Sequence, residues 1–262
     1  MKHFLLTGVL AAICITAFAQ ETRKTTTSRK EQKRQRIADL MRQEEEGVIA
    51  YRKHFAIGPK ATTDSYGIFA EKGIAKSIRK ATLIQFEITE KKHQKEEKQS
   101  NPSGQSAPLI YGKVNFFYPI KIGVQQQFLL GNKSNKNGVS ITANIGGGLI
   151  VGLLRPYEVE VDKNGQRTFV RYDSPDSALF ITGPYYGGPT FGKGWSHLKV
   201  TPGIYVKPAL RFDYGRYNEM ITAIEVGLTA EYYTKKIPQM LYNKQRQFFF
   251  GAYISLVIGR RK

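Results

Sequence analysis

Three histidines, His54, His93 and His197, are the side chains beyond the first twenty residues best suited to proton transfer near neutral pH. His197 follows Ser196, a base beside a hydroxyl, but no carboxylate is spaced to orient the ring, so a nucleophilic triad is not expected. His93 lies among Glu90, Glu96 and Glu97, which are metal-ligand types; in so charged a loop they read as solvated side chains. Gly146-Gly147-Gly148 lacks the Lys-Ser/Thr and the following helix of a phosphate loop. It reads as a bend in a strand or as room inside one. The one cysteine, Cys14, falls in a leader-like segment, which removes disulfides, a thiol nucleophile and thiolate metal sites from the remainder. No catalytic residue, cofactor or metal is expected, and the chain does not read as an enzyme.

The polar residues that remain are placed by strands. In residues 247–259, Phe248, Phe250, Ala252, Ile254, Leu256 and Ile258 alternate with smaller or polar-tipped residues such as Gly251, Tyr253 and Ser255. A period of two means an extended strand whose faces meet different surroundings. The run exceeds the roughly 9–11 tilted residues that cross a bilayer, and it stops at Arg260-Arg261-Lys262. Similar alternation marks residues 65–70, 82–90, 110–118, 121–130, 139–154, 201–213 and 221–233, each bounded by turn chemistry. Pro119 reads as a strand end, and Pro202 and Pro208 as signs of a strand end and a bulge or weak pairing. The fold class that follows is all-β: an antiparallel transmembrane β-barrel of about eight strands, ten if a hairpin turning at Asn164-Gly165 extends the wall.

If the apolar parity faces lipid, the other parity lines the lumen. It collects Glu71, Glu87, Lys113, Lys207, Arg211, Asp213, Glu225 and Glu231, with Gln85, Gln125 and Asn144. About eight strands leave an interior that side chains just fill, so these charges are expected to pair as a plug. The long interruption at 155–197 holds Tyr185, Tyr186 and Trp195, and tyrosine-rich loops are where a barrel presents binding residues.

Before the barrel come two other segments. Residues 1–19 have a positive Lys2, an apolar stretch and an Ala17-Phe18-Ala19 cleavage pattern, which reads as a signal peptide. Residues 20–62 read as a basic periplasmic arm: seven Lys or Arg stand against Glu21 and Glu31 between positions 21 and 36, followed by a short helix over 29–49. The barrel is placed at 63–262. A net charge of +19 would point a cytoplasmic protein to nucleic acid. In an exported chain it points instead to outer-membrane lipid and lipopolysaccharide phosphates, with other outer-membrane or periplasmic proteins reached through 20–62.

Arg42-Gln43-Glu44-Glu45-Glu46-Gly47, Ser65-Tyr66-Gly67-Ile68-Phe69, Ile88-Thr89-Glu90-Lys91-Lys92-His93, the run from Ile110 to Pro119, and Gly152-Leu153-Leu154-Arg155-Pro156-Tyr157 carry a resemblance. Together they resemble a family of outer-membrane β-barrel proteins from Bacteroidota of undefined function, over nearly all of residues 20–262. The resemblance implies a barrel in the outer membrane of a Gram-negative bacterium and supplies no catalytic motif. It includes Arg42 to Gly47, so the arm belongs to it. The expected role is a non-enzymatic structural or accessory subunit of an outer-membrane assembly for protein export or barrel insertion. A small channel or solute carrier is the alternative, and an envelope enzyme acting on lipid or peptide a second one.

Overall fold

The computed structural model describes Glu31, Arg34 and residues 52–77, 79–99, 107–133, 138–215 and 219–262. The chain divides into two units, Met1–Ala50 and Tyr51–Lys262. In the first, Glu31 and Arg34 are helical and exposed. The rest of the segment read as helix and the leader 1–19 lie outside the described residues.

The second unit is built on long strands. In chain order they are β1 (Lys53–Thr62), β2 (Ser65–Ser77), β3 (Lys80–Lys91), the short β4 (Lys98–Gln99) and β5 (Leu109–Ile110), β6 (Asn115–Gly131), β7 (Ser140–Pro156), β8 (Glu158–Lys163), β9 (Gln166–Arg171), β10 (Tyr185–Gly187), β11 (Lys199–Asp213), β12 (Met220–Ile237) and β13 (Arg246–Arg261). A short helix, α1 (Ser177–Thr182), precedes β10. Eight of the strands close into one barrel in the order β1-β13-β12-β11-β7-β6-β3-β2, with every neighbour antiparallel. Closure is made between β1 and β13, from His54↔Arg261 to Thr62↔Tyr253. A closed barrel leaves no unpaired edge, which is what a sheet needs where no water can satisfy its backbone.

Two expectations about the strands are corrected, and they offset each other in the count. Residues 53–62, read as the end of the arm, form β1, so the barrel begins at Lys53 and not at residue 63. The alternation was hidden because its inward parity carries His54, Ala56, Gly58 and Lys60 while Pro59 interrupts the outward one. Conversely, the two strands read at 110–118 and 121–130 are one 17-residue strand, β6, that runs through Pro119. Pro119 has no N–H to give, and the β3–β6 register skips it, passing from Ile88↔Ile120 to Lys91↔Phe117. Pro59 and Pro208 sit in similar gaps, in the β1–β13 and β11–β12 registers. The weak pairing read at Pro208 is therefore confined to one side, since β11 pairs with β7 without a break.

The hairpin at Asn164-Gly165 forms, with φ of 57° and 79° at its two turn residues, as a tight two-residue turn requires. It does not widen the wall. β8 and β9 join β10 in a separate three-stranded sheet of order β10-β8-β9.

An even strand number puts both barrel termini at one end. That end also carries the turns at 78–79, 132–139 and 214–219; the other carries the long connections 92–114, 157–198 and 238–245 with the tight turn 63–64. All the long loops thus share one end, here called the cap.

The barrel is inside out relative to a water-soluble one. Along β13, Phe250 is 63% and Ile254 51% exposed, whereas Tyr253 is 3% and Val257 0% exposed. Outward Ile68, Phe86, Ile122, Leu149, Ile204 and Leu228 continue this apolar belt around the other strands. A continuous apolar belt of this size is unfavourable in water and suits a hydrocarbon surrounding.

Candidate functional site

The inward parity brings four glutamates and five cations together in the middle of the barrel. Lys60 Nζ lies 2.7 Å and Lys121 Nζ 2.8 Å from the two carboxylate oxygens of Glu87. Lys121 also reaches Glu231 at 2.8 Å, and Glu231 pairs with Lys91 at 3.0 Å. Next to this chain, Arg211 grips Glu71 with two parallel hydrogen bonds of 2.6 and 2.8 Å and donates to Glu225 at 2.6 Å. Glu225 accepts further hydrogen bonds from Asn144 at 2.8 Å and Tyr253 at 2.7 Å. Lys207 spans the two groups, 2.5 Å from Gln85 and 3.6 Å from Glu225. All are buried.

Burying this many ions is tolerable only because each carboxylate meets more than one donor. Apolar clusters flank the network: Phe117, Tyr233, Ile237 and Phe249 toward the cap, and Ala56, Phe69, Ala223 and Val257 toward the termini. The lumen is polar and filled, as eight strands require.

Of the eight residues assigned to the lumen, Glu71, Glu87, Lys207, Arg211, Glu225 and Glu231 meet in this network. Asp213 is inward but sits at the terminal rim, paired with Arg261 and 3.6 Å from Lys133. Lys113 is not on a barrel strand. It precedes β6 and pairs in the cap with Glu96 at 2.5 Å. Burial leaves the Lys113 ammonium below its usual range against the opposing pull of Glu96. Sequence reasoning missed Lys60, Lys91 and Lys121. Lys60 lay in the supposed arm and Lys91 one residue past the strand read there. Lys121 could have been found, because it shares parity with Gln125 and Gln127.

The cap has its own small core of Ile110, Tyr157, Val159, Val161, Val170 and Phe180. The Tyr157 hydroxyl accepts the Ile110 N–H at 2.8 Å, and burial pushes its pKa up to about 12. Tyr185 donates to the carbonyls of Phe180 and Ile181, at 2.9 and 2.6 Å, and meets Tyr111 edge-on. Tyr186 donates to Asp162 at 3.1 Å. Trp195 donates its indole N–H to the Phe191 carbonyl at 2.7 Å and stacks on Tyr118. Arg155 sits among Phe116, Tyr118, Phe191 and Trp195 and also donates to the Phe191 carbonyl, fixing this loop to the barrel rim. The three residues assigned to binding are therefore spread over two parts of the cap, with their polar tips engaged internally.

Ser196 Oγ lies 2.9 Å from His197 Nδ1 at an exposed position, and no carboxylate pairs with that ring among the described residues. Among the described residues the acids near His93 do not gather at its ring, and Glu96 accepts the His93 backbone N–H at 2.9 Å. Glu90 accepts from Tyr66 at 2.7 Å, and Glu96 pairs with Lys113. Among the described residues no group of three His, Cys, Asp or Glu is arranged to hold a metal ion.

No family model matches the chain, and no curated protein matches it. Among solved structures the chain is similar to the Neisserial surface protein A, at 9% identity and a TM-score of 0.36, over 81% of this chain and 96% of that one. It is similar to the attachment invasion locus protein Ail of Yersinia pestis, at 9% identity and 0.38, over 81% and 99%. It is also similar to the N-terminal β-barrel domain of Pseudomonas aeruginosa OprF, at 7% and 0.33, over 79% and 98%.

Proposed function

We propose that this chain is an outer-membrane protein of a Gram-negative bacterium, of the Bacteroidota family it resembles, serving as a non-enzymatic accessory subunit of an envelope assembly. The observation that carries this reading is the pairing of an apolar outer belt with a lumen closed by ion pairs. With the lumen filled by ion pairs and no assembled catalytic group among the described residues, the surfaces left to work with are the two ends. Short connections at the terminal end and long ones at the cap favour a periplasmic terminal end and an external cap. Residues 20–50 precede β1 in the chain, and β1 starts at the terminal end.

The test is affinity purification from mild detergent at native expression, with the full chain and with residues 20–50 deleted. Deleting 20–62 would remove β1 and open the barrel, so the cut must stop before Lys53. Partners that co-purify with the full chain and vanish with the deletion are the expected result. A chain that purifies alone in both forms would end the accessory reading.

The polar lumen favours the channel as the second reading, and the ion pairs that fill it weigh against conduction. Folded protein in planar bilayers is expected to give no unitary current. Reproducible conductance steps would reverse this ranking.

A further inference from the structure

Among the described residues, the cap leaves one part of the barrel rim open. Between the turn 63–64, the segment after β3 and the β12–β13 connection lies an open cleft of about 260 Å³. Its floor is Ile237, Met240 and Phe249, all buried. Its walls carry four cations, Lys92, Lys95, Lys244 and Arg246. None of the four is ion-paired with a carboxylate among the described residues. Of the acids nearby, Asp64 lines the cleft and lies 3.3 Å from Lys91, Glu96 lies 2.5 Å from Lys113, and Glu90 accepts from the Tyr66 hydroxyl at 2.7 Å. Four cations against one lining carboxylate leave an excess of like charge whose mutual repulsion a seated anion lowers.

The surroundings narrow the anion. Lys92 Nζ stands 4.7 Å from the centre of the Tyr66 ring, and Tyr66 faces outward with 49% of its surface exposed. Outward Tyr232 and Phe248 are paired neighbours on β12 and β13, immediately beside Arg246 and Phe249. Aromatic side chains in this position form the girdle that lies at headgroup depth on a membrane barrel. The cleft therefore opens at the level of lipid phosphates, with cations at its walls and apolar side chains at its base. A phosphate presents three strong acceptor oxygens, enough to engage several of these cations at once.

We propose that this cleft is a binding site for the phosphate group of an amphiphile in the surrounding leaflet. The proposal rests on the membrane reading above. The two fail separately: a chain that does not insert into bilayers defeats that reading, whereas an inserted, folded chain indifferent to phosphate defeats this one alone.

The experiment is calorimetric titration of the full chain, folded in detergent micelles, with three probes: a lysophosphatidic acid, the monoacylglycerol of the same acyl chain, and inorganic phosphate. The lysophosphatidic acid is expected to bind at least about tenfold more tightly than either of the others. The double variant Lys244→Gln/Arg246→Gln, at two exposed positions, is expected to lose about tenfold or more of that affinity. Lys76→Gln/Arg79→Gln, equally exposed at the terminal end, is expected to bind as the parent does. Equal affinity for the monoacylglycerol, or an unchanged Lys244/Arg246 variant that still shows the mobility shift of a folded barrel, overturns the site. Inorganic phosphate binding as tightly as the lipid overturns the leaflet as its source and leaves a soluble anion in its place.

Discussion

Arg211→Met is expected to lower the unfolding free energy of the barrel by about 3–5 kcal/mol, the cost of stranding buried charges by removing their partner. Arg211 is the cation that holds Glu71, through two parallel hydrogen bonds, and Glu225 together. Methionine fills the space and leaves both carboxylates in the lumen. Adding Glu71→Gln in the same chain is expected to restore most of the loss, because Glu225 keeps Asn144, Tyr253 and Lys207. Breaking the exposed Lys163–Asp176 pair with Lys163→Ala provides the contrast and should cost less than about 1 kcal/mol. Urea titration in detergent, read by the mobility difference between folded and unfolded barrel, measures all three. If Arg211→Met costs no more than Lys163→Ala, the lumen is wetter and less demanding than its geometry implies.

Gly148→Val is expected to destabilise the barrel by about 1–3 kcal/mol or to stop it folding, as overpacking does in a tight site. A Cβ at Gly148 would stand 2.1 Å from the Ile122 carbonyl oxygen and 2.5 Å from the Gly123 Cα. Both atoms are backbone of β6, so no rotamer change relieves the contact and the β6–β7 ladder must move. Gly123 lies opposite Gly148, and a Cβ on Gly123 would meet the Tyr205 hydroxyl, so Gly123 leaves room for that side chain. Gly192→Ala, in the cap with no atom within 4 Å of the added Cβ, should stay within about 0.5 kcal/mol of the parent in the same urea titration. A Gly148→Val barrel as stable as the Gly192→Ala one would mean that these strands are spaced more loosely than the structure has them.

The glycine triplet shows how far a local reading can go. Its residue types excluded a phosphate loop, and its place in an alternating strand gave the spatial explanation. Which glycine was crowded, and by what, depended on the strand across from it. The prolines show the opposite. Pro119 is locally a strand breaker, and only the register with β3 reveals a gap that accommodates it.

What the sequence determined by itself was the barrel and its polarity. Alternation is a local property: each strand's two faces differ in side-chain chemistry before any partner is chosen, so Tyr253 inside and Ile254 outside could be read from β13 alone. The same parity assigned Glu71, Glu87, Lys207, Arg211, Glu225 and Glu231 to the lumen. The tertiary structure decided what closure and register decide. It made residues 53–62 the strand that seals the ring against β13, since pairing is a relation between segments far apart in the chain, from His54 and Arg261 to Thr62 and Tyr253. It chose which lysine meets which glutamate across the lumen, gathered every long loop at one end, and set four cations around one cleft, because height and facing in a barrel come from stagger between strands and not from position along one of them.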